Sequence, residues 1–336
     1  MVLRGLVIKM FTFCRILFLL IFSIASYPCV SMERKGGQSN GNDQTIDGVP
    51  LPAARVGFKE ATFYSTFNND VDTKNLKAPG FNWYLFNWFG GQAHISNITI
   101  TPGISAVFAG ELVGPNGNLT SAAVNSNNTS FIGTVFGGGG YFEATLSFDP
   151  TTVHSGTSNG WPSWWTFAIE HAAYAGAGSY WPGQVTGYWI YNETDIMEYI
   201  WSGSLVNSYD ATIHTHYNTA ASADVSNNTG GGNVMPVASY TQFNSPHKYG
   251  VLWLPGSAST TGSLQYFFDR QPIGSPVIWS QFVGGAGQTP PPVDPWRFGI
   301  IDSNHIALVL GTGPSAPLTV YNVQVWQANS SNNIKH

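Results

Sequence analysis

Three features of this 336-residue chain predict an all-β sandwich or barrel. Short runs of aromatic and β-branched residues recur from Phe58 onward. Clusters of Gly, Asn, Pro and Ser separate them at turn-like intervals, and the texture stays uniform with no linker that would divide the chain. A single domain over 58–328 follows, ordinary in length for a large sandwich.

The runs predict strands in order at Ser105–Ala109, Thr134–Phe136, Tyr141–Phe148, Thr186–Ile190, Ala211–Tyr217, Gly250–Leu254, Leu264–Phe268, Ile306–Leu310 and Leu318–Trp326. Between them Gly137–Gly140, Gly230–Gly232, Gly284–Gly287 and Pro290–Pro292 read as turns and loops. A short helical turn is expected around Ile169–Ala173, and 329–336 reads as a polar tail.

The first 31 residues read as an export signal. Arg4, Lys9 and Arg15 precede the apolar run Ile16–Ala25, small residues follow, and cleavage after Ser26 or Ser31 fits the pattern. The run is shorter than the roughly 20 residues of a membrane span. A secreted mature protein without a span is therefore expected. Residues 32–57, with Gly36-Gly37-Gln38-Ser39-Asn40-Gly41-Asn42 at their centre, read as a flexible polar leader. Both cysteines, Cys14 and Cys29, fall in the signal, so neither disulfides nor thiol chemistry is expected of the mature chain.

Charge narrows the partner. Three of the 13 Lys and Arg lie in the signal while all 18 Asp and Glu lie beyond it, leaving the mature chain at about −8 with His neutral. Nucleic acid is excluded as a natural ligand, because it is bound by clustered Lys and Arg. Sulfated or uronic polysaccharides are disfavoured on the same ground. A chain that is 14% aromatic, with 12 Trp and only 9% charged residues, suits a neutral glycan instead. Sugar rings pack their C–H faces on aromatic rings while Asn, Gln and Asp bond their hydroxyls. No cofactor is expected, and a monomer is.

The acid concentrates in Asn192-Glu193-Thr194-Asp195-Ile196-Met197-Glu198-Tyr199, flanked by the strand-forming residues Tyr188–Tyr191 and Tyr199–Trp201. In a strand Glu193 and Asp195 share a face. One extra residue absorbed as a β-bulge at Ile196-Met197 brings Glu198 to that face too. Such a row raises at least one carboxylate pKa. Glycosidic cleavage with retention uses that property, needing one ionised and one protonated carboxyl about 5 to 5.5 Å apart. A solvated edge-strand face is the plainer alternative; the surrounding Trp and Tyr argue against it.

Glu193-Thr194-Asp195-Ile196-Met197-Glu198 resembles the bulged E-x-D-x-x-E signature of glycoside hydrolase family 16, the laminarinase and lichenase type. Further segments match in order. Gly140–Ala144 is similar to the family's G-[YR]-F-E-[AV] strand, Trp161–Trp165 to W-P-[AS]-x-W, His247–Trp253 to F-H-x-Y-x-x-x-W, and Phe267–Pro272 to the [FY]-x-[VF]-D-G-x-P hairpin. Thr194, Thr145 and Arg270 depart from the pattern, standing for an aliphatic residue, a basic residue and the turn Gly.

The resemblance implies a two-sheet β-jelly-roll, concanavalin A-like, with a concave substrate groove. It implies Glu193 as nucleophile, Asp195 as assisting acid and Glu198 as general acid and base of a retaining endo-β-glucanase. A cell-wall transglycosylase with the same triad and a lectin-like binding module are the competing readings. Trp164, Trp165, Trp189 and Trp201 are the candidate sugar platforms, Trp164 or Trp165 foremost.

His214 and His216 share one strand face. A metal pair would need a third ligand at short spacing, which the residues on to Asp224 do not offer, so no metal is expected. The family resemblance implies a His on the neighbouring strand that bonds the carboxylates, with His216 the better match. Sequons occur at Asn97, Asn118, Asn127, Asn128, Asn192, Asn227 and Asn329. Asn192, adjacent to Glu193, should point away from the groove and stay unmodified.

Overall fold

A computed structural model of the protein describes residues 44–88, 93–109, 117–127, 130–152, 161–170, 191–199, 207–217, 225–228, 233–236, 243–282, 296, 298–312, 317–328 and 332–335. The signal segment, Trp189, Trp201, the expected strand at Thr186–Ile190 and most of the helical turn at Ile169–Ala173 lie outside the described residues.

The first half carries β1 (Thr45–Ile46), β2 (Val49–Pro50), α1 (Leu51–Arg55), β3 (Glu60–Ser65), β4 (Tyr84–Leu85), β5 (Ile98–Thr101) and β6 (Ser105–Phe108). After them come β7 (Gly117–Thr120), β8 (Ala122–Val124), β9 (Phe131–Val135), β10 (Gly140–Phe148), β11 (Ser163–Ala168), β12 (Tyr191–Glu198) and β13 (Ser208–Tyr217). The remainder is β14 (Val225–Asn228), β15 (Asn233–Pro236), β16 (His247–Leu254), β17 (Gly262–Phe268), β18 (Gln271–Trp279), β19 (Ile306–Thr312), β20 (Leu318–Gln327) and β21 (Ile334–Lys335).

These strands build a two-sheet β-jelly-roll sandwich. One eight-stranded antiparallel sheet runs β18-β17-β16-β10-β20-β6-β5, with β3 also on β20. The other runs β14-β13-β12-β11-β19-β7-β4, with β15 also on β13. Alternation decides what lies between them. Phe142, Leu146, Val251 and Tyr266 of the first sheet meet Trp164, Met197, Ile213 and Leu308 of the second in one buried core. The opposite face of the second sheet is partly covered by a small sheet, β21-β9-β8. Its Val124, Phe131 and Val135 pack on Phe167, Ala307 and Val309. Among the described residues no helix is long and apolar enough to cross a membrane.

The expected flexible leader and the polar tail both carry strands where they are described. From Gln44 on, the leader forms β1, β2 and α1, and Ala53 and Phe58 bury themselves against Tyr141, Leu252 and Phe267. The cause is the outer face of β10 and its neighbours, whose apolar residues need covering; a few apolar residues in a polar segment suffice. In the tail, Ile334 and Lys335 pair with Val135 and Thr134.

That covered outer face holds a buried ion pair. Glu143 of β10 is fully buried. It accepts the Tyr141 hydroxyl at 2.7 Å, Arg270 Nε at 2.9 Å and Arg270 Nη2 at 2.8 Å. Arg270 reaches it from a two-residue hairpin turn between β17 and β18, where Asp269 and Arg270 have φ of 49° and 64°. Such a turn favours Asn-Gly, and a residue with a Cβ loses roughly 1–2 kcal/mol in the left-handed region. The bidentate guanidinium explains why Arg stands there in place of Gly.

Arg270→Gly should therefore relax the turn yet destabilise the protein by about 3–5 kcal/mol, because Glu143 is left charged and buried without a cation. Urea denaturation checks it. Adding Glu143→Gln to Arg270→Gly should recover most of the loss, and an unchanged midpoint in the single variant would contradict the assignment.

Candidate active site

The acidic stretch forms β12, and its two neighbours report the same irregularity. Against β11, Trp164 pairs with Met197 and Trp165 with Asp195, leaving Ile196 as the extra residue. Against β13, Asp195 pairs with Thr212 and Glu198 with Asp210, three residues on one strand against two on the other. This is a β-bulge at the expected place. Ile196 and Met197 both enter the inter-sheet core, and Glu198 is returned to the face that carries Glu193 and Asp195.

Register names the rest of that face, since directly paired residues share it. Phe167, Glu193 and His214 form one row, Trp165, Asp195 and Thr212 the next, and Ser163, Glu198 and Asp210 the third. Glu193 and Glu198 are half-buried, and Asp195 is only 2% exposed.

His214 Nε2 lies 2.8 Å from Asp195 Oδ2. Ligating-type atoms of Glu193, Asp195 and His214 all lie within 4.8 Å of one another. Asp195 and His214 turn their facing atoms to each other, and with Glu193 they make a set of the kind that could hold a metal ion, with a third ligand that the spacing after His216 did not show. Trp161, just ahead of β11, donates its indole N–H to Glu198 Oε1 at 2.7 Å.

Burial governs the protonation of this face. It raises Glu198 to about 8, with the Asp195 charge adding to the rise and the Trp161 bond and His214 opposing it. Burial raises Asp195 to about 8 as well, helped by Asp210. Asp210 itself is pushed up to about 6 by burial. At neutral pH Glu198 thus holds its proton in a half-buried position, the state a proton donor requires.

Several expectations change. Trp164 is fully buried in the core and is no platform: the two adjacent Trp alternate, and only Trp165 reaches the acidic face, half-buried beside Phe86 and Phe167. His214 is the histidine seen to bond a carboxylate, that of Asp195. His216 pairs with Tyr191, one row beyond Glu193. Two residues of this face were not singled out as site residues from the sequence. Trp161 could have been found from its segment, and Asp210 from its parity with His214, four residues upstream on the same strand face.

No family model matches the chain, and no curated protein is similar to it in sequence. Solved structures are similar in shape. An endo-1,3-beta-glucanase from Streptomyces sioyaensis is 15% identical with a TM-score of 0.45, covering 82% of this chain and 97% of its own. A beta-porphyranase from Bacteroides plebeius is 11% identical with a TM-score of 0.43, covering 82% and 95%. An endo-1,3-beta-glucanase (laminarinase) catalytic domain from Thermotoga petrophila is 14% identical with a TM-score of 0.37, covering 80% and 98%.

Asn192 is 1% exposed, and its Nδ2 donates to the His214 carbonyl at 3.1 Å and to Thr215 Oγ1 at 3.3 Å. A glycan on that nitrogen would displace both bonds and find no space. Expressed in a glycosylating host, the protein should carry no sugar at Asn192, as peptide mass spectrometry will read directly; high occupancy there would mean β12 is misplaced.

Proposed function

We propose that the protein is a secreted, endo-acting glycoside hydrolase of the family 16 type. It cleaves neutral β-glucan, β-1,3 or mixed β-1,3-1,4, with retention. The observation that carries this reading is the bulge in β12, which sets three carboxyl groups on one strand face; burial, which raises Glu198, supports a role for it as proton donor. The motif resemblance of Glu193–Glu198 and the segments around it supports the same chemistry.

In the first step the Glu193 carboxylate attacks the anomeric carbon as the bond to the leaving oxygen breaks, and the Glu198 proton passes to that oxygen. Glu198, now ionised, takes a proton from the water that attacks the same carbon, and Glu193 is released. Asp195 lies between the two reacting groups and holds His214, so it adjusts charge in both steps without forming a bond to sugar. Trp165 offers a ring beside Asp195 for a sugar face. The acidic balance of the chain supports an uncharged polymer.

Glu193→Ala should abolish turnover of polysaccharide and of activated aryl glycoside alike, because nothing remains to attack the anomeric carbon. Glu198→Ala should lower polysaccharide cleavage by roughly 10²–10⁴-fold while sparing an aryl glycoside whose leaving group departs unaided. Release of the glycosyl intermediate in that variant lacks the base that activates water, and azide, which needs none, should speed it by attacking the anomeric carbon. Equal loss on both substrates in both variants would overturn the roles. Product analysis on β-glucan separates hydrolysis from glycosyl transfer to a second sugar, and a parent that binds glucan without cleaving it would be a binding module.

A further inference from the structure

The bulge that returns Glu198 to the acidic face also decides what it meets there. With a regular ladder the partner of Asp210 would be Met197; with Ile196 inserted, it is Glu198. Two acids thus stand directly opposite on adjacent strands, where Cβ atoms are about 4.5–5.5 Å apart and like charges destabilise the pair. Asp210 is not at the edge of the sheet. Its other side pairs with Val234 of β15, so Asp210 lies between two strands.

Resting on the reading of Glu198 as the acid, we propose that Asp210 is a positioning residue that acts through Glu198, keeping the proton on the donor and so setting the alkaline limit of cleavage. Asp210 acts alongside other groups, Asp195 foremost among the charges. From β11, Glu198 meets Ser163 and the Trp161 indole, neither of them charged. On its own strand it meets Asp195, with Glu193 beyond. From β13 it meets Asp210, then uncharged Thr212, then His214. β15, the strand beyond Asp210, brings Asn233, Val234, Met235 and Pro236, none titratable. From the facing sheet, Tyr266 feels the charges of Asp195 and Glu198 and is itself raised, mainly by burial, so it stays neutral. Among the described residues Asp210 is the one acid that faces Glu198 from a neighbouring strand, and it acts on both Glu198 and Asp195.

The sign follows. A negative Asp210 opposes ionisation of Glu198, so removing its charge lets Glu198 lose its proton at lower pH. Because Asp210 is partly exposed, water screens it, and it is a weaker influence on Glu198 than burial or Asp195, so the expected change is downward and smaller than about one pH unit.

The test is a titration of the Glu198 carboxyl by 13C NMR in selectively labelled full-length mature protein, the resonance being assigned by its loss in Glu198→Gln. Asp210→Asn should move the Glu198 midpoint down, by less than about one unit, with the alkaline limb of kcat/KM on β-glucan moving down with it. Asp210→Glu, which keeps the charge, should leave both near the parent. An unmoved Glu198 midpoint in folded Asp210→Asn would overturn the proposal; if that variant fails to fold, Asp210→Ser takes its place with the same expected shift. The two readings fail separately. A shifted midpoint in a protein that cleaves no glycan would remove the hydrolase reading and keep the coupling, while glucan cleavage with an unmoved midpoint would do the reverse.

Discussion

Between Asp195 and Glu198 strand β12 advances three residues while its partner β13 advances two, and every group on the acidic face depends on that mismatch. A regular strand would send Glu198 into the inter-sheet core and bring Met197 out to the acidic face. The inserted residue is stable because Ile196 and Met197 are both apolar and both fill the core that the facing sheet supplies. Sequence, packing and chemistry meet here: two hydrophobic side chains in succession hold a backbone irregularity whose product is a row of acids.

The rest of the molecule fixes β12 from both ends and both sides. Its first turn of ladder is tied by the Asn192 backbone N–H, which donates to Asn304 Oδ1 at 2.8 Å. Asn304 follows a short 3-10 turn that is itself anchored to the other sheet, since Asp302 accepts the indoles of Trp253 and Trp279 at 3.1 and 2.8 Å and the Gly256 N–H at 2.9 Å. Gly262 runs so close to the Trp279 indole that a Cβ would not fit. One segment therefore links the two sheets and sets where β12 begins. Farther out, the Glu143–Arg270 pair secures the opposite face of β10 beneath the segment that starts at Gln44.

Much of this was legible in the sequence, and the exceptions have physical reasons. Strands such as Tyr141–Phe148 and Leu318–Trp326 declare themselves because aromatic and β-branched residues cluster between turn formers. The bulge was legible too, because only an inserted residue brings all three acids together. Parity is harder: Trp164 and Trp165 look alike on paper, and only the register to Asp195 shows which one shares the acidic face. His214 and His216 share parity, so nothing local separates them; the row in which each meets β12 does. The segment 44–57 was read as leader because it is polar on average. Its fold depends on the apolar outer surface of a distant strand, β10, to which only Ala53, Phe58 and their neighbours need respond.

Covalent trapping tests the central claim that the bulged strand presents Glu193 to the anomeric carbon. A β-glucan oligosaccharide with fluorine at C2 and a good leaving group slows release of the intermediate more than its formation. Incubated with the protein and followed by peptide mass spectrometry, it should leave a single glycosyl adduct on Glu193. An adduct on Glu198 or on any other residue, or hydrolysis of β-glucan with inversion and no adduct at all, would contradict the account.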